Sequence, residues 1–407
     1  MAAVSICPRI LVIGYCYPPT ASPEGFVTAK LLRNLPDCRV DVLTIENGLI
    51  SKVLDEGMGS YADNINGQVY RVSVSKMRQM ISGFPRLPFR PDRWVLLNSV
   101  VCRKARYLLA SREYDCLVTR SQYHSAHLVG LSLKKLYPDL PWVACFSDPW
   151  ANADHQARVP FLSDWSERQE NKVLEAADRL VFPTKGMQEH FVEGRSSFGG
   201  KSVVLPHSFD PKLCKSSPAK KPLDPNNFTL RLFGSFYGTR KPDVLFSAID
   251  QLELEEGQSL TLEIYGPWHK AYENLGDSFS KVSEKRINYL GQVPHVEALA
   301  KMQEADLLVL VDAPGAGKSF YLPSKLVDYL GSGQPILALC REGVVSTVVS
   351  SVGGMIADPS DANAVTTILK HWIESQRGCR LRAEGVVDEY QAANVGAKFR
   401  SMVGELL

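Results

Sequence analysis

The stretch Arg9-Ile-Leu-Val-Ile-Gly14 decides the fold: an unbroken aliphatic run closed by glycine, then a Pro-rich loop and a helix-like segment over 26–35. A continuous apolar run of this length reads as a strand buried on both faces, as in a parallel sheet, rather than as the alternating strand of a half-solvated one. The same strand, loop and helix rhythm continues outward. Arg39-Val-Asp-Val-Leu-Thr44, Cys116-Leu-Val-Thr119 and Trp142-Val-Ala-Cys-Phe146 read as further strands with helical stretches between them. Strands alternating with helices predict a doubly wound, parallel α/β domain.

The rhythm pauses over 211–227, where Pro, Lys, Ser and Asn dominate and an exposed linker is expected. It then restarts. Thr229-Leu-Arg-Leu-Phe233, Leu260-Thr-Leu-Glu-Ile-Tyr265, Ile287-Asn-Tyr-Leu290, Asp306-Leu-Leu-Val-Leu-Val311 and Pro335-Ile-Leu-Ala-Leu339 read as strands, with helices starting at Pro242, Val296, Ser324 and Ala362. The expected organisation is a Rossmann-like domain over 1–210, the linker over 211–227, and a second Rossmann-like domain over 228–386, with a cleft between the domains. A terminal helix over 387–407 is expected to pack back on the first domain. A length of 407 residues suits two cores rather than one.

Composition narrows the function class. Charged residues at 22% and apolar residues at 45% describe a globular chain, excluding disorder, collagen and coiled coil. A net charge of +2 argues against a dedicated nucleic-acid binder. The nine cysteines include no C-x-x-C pair, so neither a disulfide framework nor a zinc site is expected, and a reducing cytoplasm is the simpler setting. No window approaches the roughly 18 apolar residues of a spanning helix, and the N-terminal apolar run is too short for a signal peptide.

In parallel sheets ligands bind beyond the carboxyl ends of strands, where helix N-termini offer free amides to phosphate. After Phe233 comes Gly234-Ser-Phe-Tyr-Gly-Thr-Arg-Lys-Pro242, two glycines followed by Arg240 and Lys241, which reads either as a diphosphate clamp or as a flexible turn with two solvated cations. Asp312-Ala-Pro-Gly-Ala-Gly-Lys-Ser319 matches the tail of a Walker A loop but has Asp312 where the first glycine belongs. Pro323 also interrupts the helix that should follow Lys318, so a glycine-rich loop is the better reading.

The most specific segment is Tyr321-Leu-Pro-Ser-Lys-Leu-Val-Asp-Tyr-Leu-Gly-Ser-Gly-Gln-Pro-Ile336. It resembles the donor-site signature of GT-B retaining glycosyltransferases of the GT4 class. The rest of the chain agrees in order: Gly234 to Ala248 with the glycine loop and lysine, Ile264-Tyr-Gly-Pro267 with the second glycine turn, and Leu290-Gly-Gln-Val-Pro-His295 with the base-binding strand end. The Ile13-Gly-Tyr-Cys-Tyr-Pro-Pro19 opening and Phe146-Ser-Asp-Pro-Trp150 also look similar to the family. The resemblance implies a GT-B fold, two Rossmann-like domains facing a central cleft. It implies Lys241 as the lysine that neutralises the donor diphosphate, with Gly234, Ser235 and Arg240 beside it. Gly266, Val293, Pro294, Tyr321 and the helix start at Ser324, Lys325 and Leu326 complete the donor contacts, and Asp328 is expected to accept from the ribose hydroxyls. Ser235 stands where many relatives carry arginine, and Phe320 where the family has its first glutamate.

On the acceptor side the family histidine falls near Thr119-Arg-Ser-Gln-Tyr-His-Ser-Ala-His127, which leaves Arg120, His124 and His127 as candidates; Asp148 and Trp150 follow the next strand. No local carboxylate or cysteine makes the two histidines a metal site. Over 71–112, ten basic residues (Arg71, Lys76, Arg78, Arg86, Arg90, Arg93, Arg103, Lys104, Arg106 and Arg112) face Asp92 alone, interleaved with Phe84, Phe89, Trp94, Leu96 and Leu97. This reads as a membrane surface, a lipid-diphosphate acceptor site or a solvated helix pair.

The resemblance therefore implies transfer of a sugar from a nucleoside-diphosphate-sugar donor to a saccharide or lipid-linked acceptor, in polysaccharide biosynthesis. Retention of configuration, no metal and no cofactor are implied, in the cytoplasm or at the inner face of the membrane. The alternatives are an inactive nucleotide-sugar-binding protein, a sugar-nucleotide epimerase and a P-loop ATPase.

Overall fold

The computed structural model describes residues 7–35, 37–82, 89–151, 160–193, 196–213, 224–236, 240–267, 287–312, 318–376, 380–381 and 384–407. The chain divides into two compact units, 1–207 together with 392–407, and 208–391.

The N-terminal unit is built on β1 (Arg9–Gly14), β2 (Arg39–Ile45), β3 (Val69–Val72), β4 (Cys116–Arg120), β5 (Trp142–Cys145), β6 (Arg179–Phe182) and β7 (Ser202–Val204). They form one sheet in the order β3-β2-β1-β4-β5-β6-β7, parallel throughout. Its helices are α1 (Pro23–Arg33), α2 (Glu56–Asp63), α3 (Lys76–Ser82), α4 (Asn98–Ser111), α5 (Ser125–Leu136), α6 (Pro160–Ala176) and α7 (Lys185–Val192). Helix α1 starts where the sequence provides for it: the Ser22 hydroxyl accepts from the Gly25 amide at 3.1 Å and Pro23 opens the first turn. The order of strands reverses between β1 and β4, so the switch point of this sheet lies beyond Gly14 and Arg120.

The C-terminal unit repeats the plan with β8 (Asn227–Phe233), α8 (Asp243–Gln251), β9 (Ser259–Tyr265), β10 (Ile287–Gly291), α9 (His295–Gln303), β11 (Leu307–Val311), α10 (Ser324–Ser332), β12 (Ile336–Leu339), α11 (Val344–Ser351), β13 (Met355–Ala357), α12 (Ala362–His371) and α13 (Glu384–Asp388). The sheet order is β10-β9-β8-β11-β12-β13, again parallel, with its switch point between β8 and β11. Leu230, Leu232, Leu262, Ile264, Leu307 and Val309 meet α8 and α12 through Leu245, Ile249 and Val365, with Trp372 just after α12, to make its core. Burying such side chains stabilises by about 1.5–3 kcal/mol each.

The terminal helix expected over 387–407 is interrupted. After α13 the backbone turns at 389–391, where the Tyr390 carbonyl accepts from the Phe209 amide at 3.0 Å, and α14 (Ala392–Gly404) then begins. Helix α14 packs on α1 in the N-terminal unit: Gly396 lies so near the end of α1 that a Cβ there would come within 2.3 Å of the Asn34 carbonyl oxygen. Residues 208–213, between the sheets in sequence, group with the C-terminal unit, where the Phe209 ring fills the space beside Gly331. Much of the expected linker, 214–223, lies outside the described residues.

Candidate functional site

At the C-terminal switch point two glycines stack backbone on backbone. Gly234 follows β8 with φ +123° and donates its amide to the Tyr265 carbonyl at 2.8 Å; Gly266 follows β9 with φ +149° and donates to Gly291 at 2.9 Å. A Cβ on Gly266 would sit 2.1 Å from the Gly234 oxygen, so both the backbone conformation and the space demand glycine.

Helix α10 ends in Gly333, left-handed at φ +69°, and begins behind Pro323. Its Tyr329 hydroxyl accepts from the Phe233 amide of β8 at 2.9 Å and donates to the Val309 carbonyl of β11 at 3.2 Å. One buried side chain thus ties the helix across the switch point, and sequence reasoning gave it no such role. The amides of Ser324 and Lys325 belong to the first turn, which has no helical acceptors for them. The Lys325 ammonium lies against Gly234, where a Cβ would approach it to 3.1 Å. Arg240 pairs with Asp312 at 3.3 Å, linking the segment after β8 to the end of β11. Burial, and then the Arg240 guanidinium, push Lys325 down to about 7 against the pull of Asp312.

The other expected donor residues are spread around this point. Ser235 is half-buried, and Lys241 is exposed just before Pro242. Val293 is half-buried and Pro294 exposed at the start of α9. Tyr321 stacks on Phe320 with centroids 4.8 Å apart. The Leu326 side chain is fully buried in the core, which leaves only its backbone to face a ligand. Asp328 is 4% exposed, and its carboxylate faces His295 Nε2 at 3.7 Å, so it is closer to a packed pair than to the open acceptor expected of it. Lys318 pairs with Glu342 at the surface; residues 313–317, the rest of that glycine-rich loop, lie outside the described residues.

The acceptor-side candidates cluster at the other switch point. Arg120, at the end of β4, donates through Nη2 to Glu24 at 2.9 Å and through Nε to Thr28 at 2.7 Å. Ser147 Oγ donates to the second Glu24 oxygen at 2.7 Å. Burial raises the Glu24 carboxyl above its ordinary value, opposed by Arg120 and Ser147. His127 is fully buried: its Nδ1 meets Thr119 Oγ1 at 2.8 Å and its ring lies 4.3 Å from that of Phe146. Burial, then the charges of His124 and Arg120, hold it far below the usual imidazole range and hence neutral. The packing makes His127 a core residue rather than one that meets substrate. His124 stacks on Trp150 at 5.3 Å, with Nε2 at 3.2 Å from the Pro149 carbonyl. Asp148 is half-buried and accepts from Gln122 at 2.6 Å.

The basic stretch divides as well. Arg71 donates to the Pro18 carbonyl at 2.6 Å, Arg112 pairs with Asp41 at 3.2 Å and Arg78 donates to Ser99 at 2.8 Å, so these three serve packing. Trp94 and Leu97 are buried, and Phe84 and Arg86 lie outside the described residues. Among the described residues of this stretch the exposed large apolar groups are Met77 and Met80 of α3 and Tyr107 of α4, about two-thirds exposed, with Lys76, Arg103 and Arg106 exposed on the same helices. Among the described residues no helix is long and apolar enough to cross a membrane, and no group of three or more His, Cys, Asp or Glu is placed to hold a metal ion.

No family model matches the chain, and no curated protein matches it. Solved structures do. Anabaena HepE in complex with UDP and glucose superposes with a TM-score of 0.69 at 15% identity, over 98% of this chain and 100% of that one. Sucrose-phosphate synthase of Thermosynechococcus elongatus gives 0.70 at 16% identity, over 98% and 99%. An E. coli trehalose-6-phosphate protein bound to UDP-2-fluoroglucose gives 0.66 at 13%, again over 98% and 99%. The fold is GT-B. In GT-B terms the glycine pair, Arg240, Asp312 and Lys325 all stand at the switch point of the C-terminal Rossmann-like unit.

Proposed function

We propose that the protein is a glycosyltransferase that takes a sugar from a nucleoside-diphosphate-sugar donor bound in its C-terminal unit. One observation carries this reading: Gly234, Gly266, Arg240, Lys325 and the free amides of α10 converge at one switch point, a combination suited to a diphosphate. Solved GT-B neighbours that hold UDP or UDP-glucose support it. Lys325 and Arg240, with Lys241 from the adjoining loop, would stabilise the charge that grows on the departing nucleotide. The family resemblance adds retention of configuration and independence of metal. The acceptor is a saccharide or a lipid-linked glycan met by the N-terminal unit, with Asp148 and His124 as the candidates to orient it. The exposed Met77 and Met80 of α3, beside Lys76, and the exposed Tyr107 of α4, with Arg103 and Arg106 on the same helix, support peripheral attachment to an anionic lipid surface.

A thermal-shift screen against UDP, GDP, ADP, CMP, ATP and their sugar conjugates, with and without magnesium, tests the reading, because a ligand of the native state raises its apparent stability. A metal-independent shift with one nucleoside diphosphate and its sugar is expected. A shift with magnesium-ATP alone would refute it.

A further inference from the structure

Among the described residues the C-terminal switch point carries more positive charge than its carboxylate, Asp312, neutralises. Asp312 is already engaged by Arg240 at 3.3 Å, and among the described residues no carboxylate comes within ion-pair distance of the Lys325 ammonium. Three elements close on that amine. The segment after β8 brings Gly234 to its side and the Arg240 guanidinium near it, the end of β11 brings Asp312, and α10 carries Lys325 itself. Among the described residues Arg240 and Asp312 are the charged groups that face it, and they offset one another. Lys325 is thus a half-buried amine beside a guanidinium, with no net negative charge among the described residues to hold its proton.

A diphosphate changes that balance, since it brings at least two negative charges to the same point. We propose that the nucleoside diphosphate binds this site together with one proton, which Lys325 takes from solvent as the phosphates arrive. This rests on the donor assignment above and adds its regulation: donor affinity is coupled to pH through Lys325. The sign follows from the burial that pushes the empty-site amine down to about 7. Below that pH the ammonium is already formed and affinity is full. Above it each binding event must recruit a proton, and affinity falls by roughly tenfold per pH unit until the pKa of the complex is reached. The diphosphate itself contributes little there, because its last ionisation is near pH 6.

The test is a calorimetric titration with the nucleoside diphosphate that gives the largest thermal shift, run at pH 7.5 in two buffers of unequal ionisation enthalpy and repeated at pH 7.0 and 8.5. Wild-type protein should take up roughly three-quarters of a proton at pH 7.5, and its Kd should rise roughly fifteen-fold from pH 7.0 to 8.5. Lys325→Arg, whose charge is fixed, should bind with a flat profile; Lys325→Met should bind more weakly at pH 7.0 and also be flat. Nucleotide binding with no proton uptake, or the wild-type profile retained in Lys325→Met, overturns the linkage and leaves the donor assignment standing. The two-buffer measurement on wild-type protein decides the matter even if a variant does not fold. Failure of every nucleotide to bind at any of these pH values removes the donor assignment, and the linkage with it.

Discussion

At the N-terminal switch point Arg120 and Glu24 are closed on each other: the guanidinium meets Glu24 and Thr28, the carboxylate's other oxygen takes Ser147, and both residues are more than nine-tenths buried. At the C-terminal switch point Arg240 and Asp312 make the same kind of bridge, but at 3.3 Å, with Lys325 left over beside it and two glycines in place of side chains. The strand order around both is the same. What differs is that the second pair has a further cation, Lys325, beside it. On the function proposed, the first pair is architecture and the second, beside Lys325 and bare backbone, is where the diphosphate binds.

The contrast can be broken most forcefully at Arg120. Arg120→Met strands a buried Glu24, which should cost about 3–5 kcal/mol by chemical denaturation, whereas the double change with Glu24→Gln should recover much of that loss. An effect under about 1 kcal/mol would mean that the pair is not the structural closure its geometry describes. At the other switch point Gly266→Ala forces a Cβ toward the Gly234 oxygen from a backbone conformation that alanine resists. A loss of about 1–3 kcal/mol in stability is expected, with loss of the nucleotide-induced thermal shift. Lys241 is exposed, so Lys241→Ala should leave stability within about 0.5 kcal/mol while lowering turnover at least tenfold, about 1.4 kcal/mol in the barrier. Near wild-type transfer would remove Lys241 from the site.

A pH-dependent effect is expected at Asp92, which accepts from the Ser125 amide and hydroxyl at the start of α5. Burial pushes its carboxyl up to about 6, opposed by these hydrogen bonds. Because the folded pKa lies above the unfolded one, near 4, its contribution is fully present below about pH 4 and is lost as pH rises through about 6. Asp92→Asn should therefore gain about 2–3 kcal/mol relative to wild type between pH 4 and 7 in denaturation midpoints. The pH response of the N-terminal unit would then concern stability, and that of the C-terminal unit binding.

The strands that could be read from sequence were the long aliphatic runs such as β1 and β11. β3, β7 and β13 have only three or four residues, most of them half-buried or exposed, and β6 is four residues long, so their periodicity is too brief to stand out. Nothing local marks the turn at 389–391, because the partner that holds it is Phe209, far earlier in the chain. Gly234 and Gly266 were legible as glycines closing strands. The role of Tyr329 was not, since it depends on two strands meeting one helix. His124 and His127 looked equivalent in sequence at a spacing of three, and only packing separates them: His127 turns into the Phe146 cluster, while His124 lies against Trp150. In the basic stretch the interleaved aromatics suggested the lipid-facing groups, yet Trp94 turned inward and the methionines of α3 outward.

The most direct measurement is hydrogen exchange with the nucleoside diphosphate selected by the thermal screen, with EDTA present. Protection should appear at the amides of Ser235, Ser324 and Lys325, with no change at Ser121 and Gln122 beside Arg120. Protection confined to the Arg120 side, with the C-terminal switch point unchanged, would contradict the assignment of the ligand to the C-terminal switch point.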